Sequence, residues 1–368
     1  MIGDLESYER ETMTTTVESE WFPEEKYKVQ KTWLQSFCTR VLKTGPVPKH
    51  VAFIMDGNRR FAKKKSVEKA EGHLMGFHKL SETLQWCLDF DIKEVTVYAF
   101  STENFKRSKE EVDGLMELAR QKFVKLLQEK EQIMKHGVCV RVLGELHLLP
   151  RDVQEVVAEA MYMSRNNTNA ILNVCLAYTS RNEITNAMKE MAQGVEDGCL
   201  RPSDISEGLL EKCLYTSQSP DPDLLVRTSG EVRLSDFLLW QSNYSVLSFV
   251  EVLWPEFTIW HLFSAILHYQ QNYDAVMAVR EAHRQEQEER QARSDLKCAL
   301  QEADDSLHHD QESPTNVQKC VRHYTQEREA RVTNFLTRLQ QRRDQYICSL
   351  LPKESEKATP NAKLTTSS

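Results

Sequence analysis

The sequence predicts an α/β fold: a central parallel sheet flanked by helices, with a helical extension at its C-terminal side. Three observations lead there. Short apolar runs recur and stop abruptly at polar and cationic residues, segments of helical period separate them, and beyond about Tyr273 the composition turns strongly charged. Strand and helix in strict alternation imply right-handed crossovers and a parallel sheet.

Residues 1–30 are polar, rich in Glu and Thr and without a clear period, and are expected to be disordered. In residues 31–44, Trp33, Leu34, Phe37, Cys38, Val41 and Leu42 repeat at helical spacing, and Gly45-Pro46 stops the helix. Such an amphipathic helix either docks on the core or lies in a membrane surface, and its periodicity leaves both open. Residues 45–272 form the expected single α/β domain. Its first strand is Val51-Ala52-Phe53-Ile54-Met55, an unbroken apolar run that suits a strand covered on both faces. Phe77, Leu80, Leu84 and Leu88 line the next helix, which leads to a second strand, Val95 to Phe100. Val112, Leu115, Met116, Ala119, Phe123 and Leu126 line another helix, followed by strands at Val138–Leu143 and Ala170–Ala177, a helix starting near Ser180, and a strand at Leu224–Val226. Residues 273–351 read as a charged helical extension. There, Arg280 to Lys297 is laced with charge pairs, a polar break includes Asp304-Asp305 and Pro314, and Val332, Phe335, Leu336, Leu339, Tyr346, Ile347 and Leu350 form a second amphipathic pattern. That pattern serves self-association, partner docking or packing back on the main domain. Residues 352–368 are expected to be a disordered tail.

Composition narrows the function. A net charge of -8 argues against broad nucleic-acid binding, so the cations that matter are local. Nine cysteines without CxxC pairing or Cys/His ligand spacing point to neither a disulfide framework nor a zinc site. No apolar stretch approaches the roughly 18–20 residues of a membrane span and no secretory leader is evident, so membrane contact is expected to be peripheral.

The first strand ends in Asp56-Gly57-Asn58-Arg59-Arg60, delivering a carboxylate, a glycine and two guanidiniums to one point. In parallel sheets ligands bind beyond the carboxyl ends of the strands. Asp56 suits a hard cation such as Mg2+, Gly57 lets backbone N–H groups approach an anion, and arginine forks match phosphate oxygens. The alternative is a plain helix start capped by Asp56 or Asn58 with a solvated basic face. Recurrence favours the first reading. The second strand runs into Ser101-Thr102-Glu103-Asn104-Phe105-Lys106-Arg107, and the last into Arg227-Thr228-Ser229-Gly230-Glu231-Val232-Arg233-Leu234-Ser235. Three such strand ends exceed the needs of one phosphate and fit two diphosphates.

These blocks, together with Glu71-Gly72-His73 and Phe237-Leu238-Leu239-Trp240-Gln241, resemble the ordered signature of the cis-prenyltransferases from about Gly45 to Tyr269. Arg59 after Asn58 and the run Gly230 to Asp236 resemble the eukaryotic, dehydrodolichyl diphosphate-forming branch. The resemblance implies a Mg2+-dependent enzyme that adds isopentenyl diphosphate units to farnesyl diphosphate with new cis double bonds. It implies that Asp56 holds Mg2+ and that Gly57, Asn58, Arg59 and Arg60 cradle the leaving diphosphate. It further implies that Asn104 orients the reacting groups, that Arg107 supports the diphosphate site, and that Arg227, Arg233 and Ser235 bind isopentenyl diphosphate. His73 either hydrogen-bonds a phosphate, helps move a proton or caps its helix. Phe77, Leu84, Ala99, Phe100 and Leu172 are candidate tunnel residues or plain core. Two departures stand out: Val246 replaces a glutamate that bacterial members use for metal, and Lys69 replaces an arginine. Both fit a heteromer in which a non-catalytic Nogo-B receptor-type subunit completes the site and holds the pair at the cytosolic face of the endoplasmic reticulum membrane. A non-catalytic binding subunit with the same fold is the alternative, against which the retained polar residues argue.

Overall fold

A computed structural model of the protein describes residues 21, 31–306 and 314–352. Helix α1 (Trp33–Leu42) comes first, opened by a capping box in which Thr32 and Gln35 satisfy each other's backbone N–H. Then follow β1 (His50–Ile54), α2 (Asn58–Lys65), α3 (Lys69–Asp89), β2 (Glu94–Ser101), α4 (Lys109–Gln128), α5 (Lys130–His136), β3 (Val138–Leu143), α6 (Arg151–Ser164), β4 (Ala170–Tyr178), α7 (Ser180–Glu196), α8 (Glu207–Cys213), β5 (Leu224–Arg227) and β6 (Val246–Phe249). Two long helices close the chain, α9 (Ile259–Ser306) and α10 (Pro314–Leu350).

All strand pairings are parallel and the order is β3-β4-β2-β1-β5-β6. The chain therefore builds outward from β1 on one side, then returns to lay β5 and β6 on the other. This makes the carboxyl end of β1 a topological switch point, the place where such sheets leave a crevice for ligand. β1 is fully buried, as its continuous apolar run requires. The two faces are covered by separate sets of side chains: Val51, Phe53, Val95, Val97 and Leu224 on one, Ala52, Ile54, Cys175, Leu225 and Phe237 on the other.

Four features differ from the sequence reading. β6 has no counterpart there, because four residues between polar turns give too short a pattern. The composition change near Tyr273 falls inside α9: Leu262, Ile266 and Tyr269 are buried, and the same helix then leaves the core as a charged rod with pairs such as Arg284–Glu281 and Arg290–Glu286. The polar break begins later than expected, since Asp304 and Asp305 still belong to α9 and Pro314 opens α10. The expected disorder of 1–30 and 352–368 lies outside the described residues, except at Trp21 and Pro352. Trp21 is buried, its ring edge-on to Phe77 at 4.7 Å and its indole N–H donating to the Lys122 carbonyl at 2.7 Å. One aromatic side chain can dock without any surrounding period.

Of the uses open to the last amphipathic pattern, the structure displays packing back on the domain. Val332, Phe335 and Leu339 of α10 are buried against Ala187, Met191, Leu209 and Leu210, and the Phe335 ring lies where a Cβ on Gly194 would sit at 2.6 Å. Arg331 forms a two-pronged pair with buried Asp204, and Arg328 joins Asp295 of α9 at 2.9 Å. Arg343 donates to the final carbonyls of α8.

Candidate active site

At the switch point lies an open cavity of about 1280 Å³. Every site residue read from the sequence lines it: Asp56, Gly57, Asn58, Arg59, Arg60, His73, Asn104, Arg107, Arg227, Arg233 and Ser235. Its wall carries eight Lys and Arg side chains against four Asp and Glu, in a chain whose net charge is -8. Ile54, Met55, Ala62, Val67, Ala99, Phe100 and Leu115 supply an apolar part. The cavity thus joins a cationic mouth to a greasy wall, the chemistry of an anion with a hydrocarbon tail.

β1 delivers Asp56 and the loop after it is pinned from three sides. The Asp56 carbonyl accepts from Trp254 N at 2.9 Å and from Thr228 Oγ1 at 2.7 Å, and its own N–H points at the same Thr228 hydroxyl. Gly57 turns with φ +110°, and a Cβ there would meet the Leu253 backbone at 3.0 Å, so only glycine fits. α2 starts with no side-chain cap, leaving first-turn N–H groups available to an anion. Asn58 is an exception among the expected cradle residues: its amide folds over Gly76 of α3, and Oδ1 is buried without a partner. The small residues Gly72 and Gly76 are what let α2 settle so closely on α3.

Arg227, only 3% exposed, joins the two halves of the site. One terminal nitrogen donates to Asp56 Oδ2 at 2.9 Å; the other donates to Ser235 Oγ at 2.7 Å and to the Arg233 carbonyl. Burial pushes the Asp56 carboxyl up, but hydrogen bonding and charge from Arg227, with Ser229 and Arg60, outweigh it and hold the group below its ordinary range. Asp56 is therefore a carboxylate at neutral pH. Among the described residues no three His, Cys, Asp or Glu side chains form a metal cluster. A single hard carboxylate beside a phosphate cradle still fits Mg2+, which keeps several waters and is held by one or two carboxylates plus substrate phosphates.

The second strand end places Asn104 and Arg107 opposite. Asn104 Oδ1 accepts from Ser101 N at 3.0 Å, which leaves its NH2 as the group it can offer. Arg107 donates to Glu111 Oε1 at 2.9 Å, Lys69 reaches Oε2 at 3.1 Å and Arg59 stands 3.6 Å away. Glu111 was not singled out by the sequence, although its place four residues after Arg107 at a helix start is a detectable signal. Glu231 plays the same part for Arg233 and Arg60. His73 lies between these groups with Nε2 buried and unpartnered; burial, then the charges of Arg107, Arg59 and Lys69, lower its pKa to about 4. A helix cap is not its role.

Of the five candidate tunnel residues, Ala99 and Phe100 line the cavity. Leu84 and Leu172 face a separate small hollow, and Phe77 packs on Trp21. Apolar spacing alone could not sort them. Val246 opens β6, buried and paired with Leu224 at the amino ends of the strands. No carboxylate reaches the cavity from there.

A parallel sheet with a cationic, apolar-walled cavity at its switch point suits an enzyme acting on phosphate esters with an apolar part, and residues 54–277 match the undecaprenyl diphosphate synthase family of prenyltransferases. The chain belongs to that family and is a cis-prenyltransferase, a polyprenyl diphosphate synthase. It is 55% identical to the human dehydrodolichyl diphosphate synthase complex subunit over 324 residues, covering 86% of this chain and 95% of the human one. A Pyrococcus abyssi tritrans,polycis-undecaprenyl-diphosphate synthase (geranylgeranyl-diphosphate specific) is 51% identical over 223 residues, 61% of this chain and 84% of its own. Among solved structures, lavandulyl diphosphate synthase from Lavandula x intermedia, in complex with dimethylallyl diphosphate, superposes with a TM-score of 0.58 at 35% identity, covering 61% of this chain and 95% of that one.

Proposed function

We propose that the protein extends farnesyl diphosphate with isopentenyl diphosphate to make dehydrodolichyl diphosphate, the precursor of dolichol for protein glycosylation, as the catalytic subunit of a complex. The observation that carries this is the convergence of three strand ends on one cation-rich cavity with an apolar wall. Breaking the allylic C–O bond sends its electron pair into pyrophosphate, and the isopentenyl double bond attacks the allylic carbon before a proton is lost to leave the new cis double bond. The site must hold the charge that develops on the leaving group. Asp56 would hold Mg2+, which when bound would supply Lewis-acid stabilisation of that charge. The uncapped start of α2 and the Arg59 and Arg60 guanidiniums grip the allylic diphosphate, with Arg107 and Lys69 completing the mouth. Arg233 and Ser235 grip the isopentenyl diphosphate, and Arg227 fixes the distance between the two headgroups by holding Asp56 and Ser235 at once. Asn104 orients the reacting groups through its NH2. His73, neutral at pH 7, offers its Nε2 to a phosphate or a migrating proton.

Glu111 and Glu231 gather the mouth cations in the absence of ligand, and an entering diphosphate replaces them with stronger charge-assisted bonds. A Nogo-B receptor-type subunit completes the site; Val246 itself, at the amino end of β6, stands at the opposite end of the sheet from the cavity. Membrane contact is peripheral, at the cytosolic face of the endoplasmic reticulum. No described helix is long and apolar enough to cross a bilayer. On α1, Cys38 and Leu42 pack on the core while Trp33, Leu34, Phe37 and Val41 stay exposed, an apolar strip suited to the lipid interface. The non-catalytic alternative is disfavoured by the intact machinery. Radiolabelled isopentenyl incorporation tests the reading: the chain co-purified with its partner forms long polyprenyl products in Mg2+, and the chain alone forms far less. Equal product without the partner would remove the heteromer, and no product under either condition would remove the activity.

A further inference from the structure

The loop bearing Arg233 and Ser235 is held in a conformation its residues would not choose. Ser235, Asp236 and Leu238 all have positive φ, at +50°, +62° and +46°, in the left-handed region that disfavours side chains with a Cβ. Such backbone persists only where surrounding contacts over-determine it. Most of those contacts meet at one residue. The Asp236 carbonyl accepts from Ser180 N at 2.8 Å, Oδ1 accepts from Arg181 N at 3.1 Å, and Oδ2 accepts from the Arg181 guanidinium at 2.7 Å. Asp236 thus caps the start of α7 from 55 residues away, using every acceptor it has. Two lesser fastenings flank it: Ser180 Oγ accepts from Leu239 N at 2.9 Å, and Tyr98 Oη donates to the Ser235 carbonyl at 3.3 Å.

We infer that Asp236, clamped by Arg181 to the N-terminal turn of α7, is the positioning residue for the isopentenyl half of the site. It sets the backbone of Ser235, and with it the hydroxyl that meets Arg227. The direction of the effect follows from the connections. Asp236 is bonded to α7 and is next in the chain to Ser235; it has no bond to Asp56, Arg59 or Arg60, which hold the allylic half. Releasing it frees Ser235 to relax out of the left-handed region while β1 and α2 stay in place. The Asp236 side chain is 12% exposed and that of Arg181 is 73% exposed, so the clamp is a sheltered carboxylate closed by a surface guanidinium.

This rests on the assignment of Arg233 and Ser235 to isopentenyl diphosphate, and the experiment separates the two. Steady-state kinetics on the full chain, co-purified with its partner, are measured with each substrate varied in turn. Asp236→Ala raises the isopentenyl KM about tenfold while the farnesyl KM stays within about twofold. Asp236→Asn keeps an oxygen for Arg181 N and recovers most of the loss. Should Asp236→Ala fail to fold, Arg181→Ala removes only the outer jaw, and a rise of about threefold in the same constant is expected. Equal movement of both KM values, or an unchanged isopentenyl KM beside a raised one in Ser235→Ala, overturns the positioning role. An unchanged isopentenyl KM in Ser235→Ala overturns the assignment of the loop, and the inference with it.

Discussion

The two ends of the sheet both carry polar side chains into a largely apolar fold, and they treat them in opposite ways. At the amino ends, His50 of β1 uses both ring nitrogens, toward Thr96 Oγ1 at 2.7 Å and the Pro220 carbonyl at 2.6 Å. Asp223 accepts from Lys49 N, His50 N and Arg280, and Asn173 donates to Glu94, Thr96 and Ser219. These bonds are made by the fold to itself, with Asn173 Oδ1 and Arg280 Nε left over. At the carboxyl ends, His73 Nε2 and Arg227 Nε are buried without partners, and the mouth cations rest on Glu111 and Glu231 in pairs that an anion can displace. The first arrangement is turned to the fold's own groups and belongs to stability. The second holds bonding capacity in reserve and belongs to function.

The contrast breaks most sharply at its two aspartates. Asp56→Ala removes the carboxylate from the leaving-group site and is expected to lower turnover by at least about 10²-fold. Its effect on the denaturation midpoint should be the smaller of the two, because the buried Arg227 guanidinium loses its carboxylate but keeps Ser235 Oγ and the Arg233 carbonyl, and Asp56 itself is partly open to the cavity. Asp223→Ala has the reverse signature. It strips the acceptor from three donors at the base of the sheet, one of them a guanidinium, and should cost about 2–4 kcal/mol in urea denaturation. Turnover per folded molecule should stay within about twofold. If Asp56→Ala unfolds the protein or Asp223→Ala abolishes turnover in molecules that remain folded, the two ends do not divide their work in this way.

The carboxyl end was also the more legible in sequence. Its cations lie in short runs continuous with the strands that aim them, so Arg59, Arg60, Arg107, Arg227 and Arg233 could be read as one site before the sheet order was known. Asp56 and Gly57 were readable for the same reason, since an apolar run ending in a carboxylate and a glycine has few structural uses. What escaped were partners fixed by packing. Asp236 and the first turn of α7 at Arg181 meet across 55 residues, Tyr98 reaches Ser235 over 137 residues, and the Asp223 cluster joins positions separated by up to 174. The amide of Asn58 turns inward where α2 closes on α3 at Gly76, a packing contact that no local run of residues encodes. The parallel α/β class followed from alternation, whereas β6 is too short and the docking of Trp21 too local for any period to register.

Two histidines carry the same comparison to its finest grain. Burial lowers the pKa of His50, opposed by Glu94, the Pro220 carbonyl and Asp223; burial also lowers that of His73, helped by Arg107, Arg59 and Lys69, to about 4. In both cases the unfolded chain binds more protons than the native one below the ordinary histidine value of about 6.5, so each contributes stability that is full above that pH and lost as pH falls through the window. They part company when an anion arrives. Inorganic pyrophosphate in the cavity offsets the cations around His73 and gives Nε2 an acceptor, both of which favour the protonated ring. Its midpoint should rise by about one unit or more, while His50, sealed at the far end of β1, keeps its own. Side-chain NMR titration of the two rings with and without pyrophosphate reads this directly. Equal displacement of both midpoints would mean that the amino end responds to the ligand site, and an unmoved His73 would place the anion away from α3.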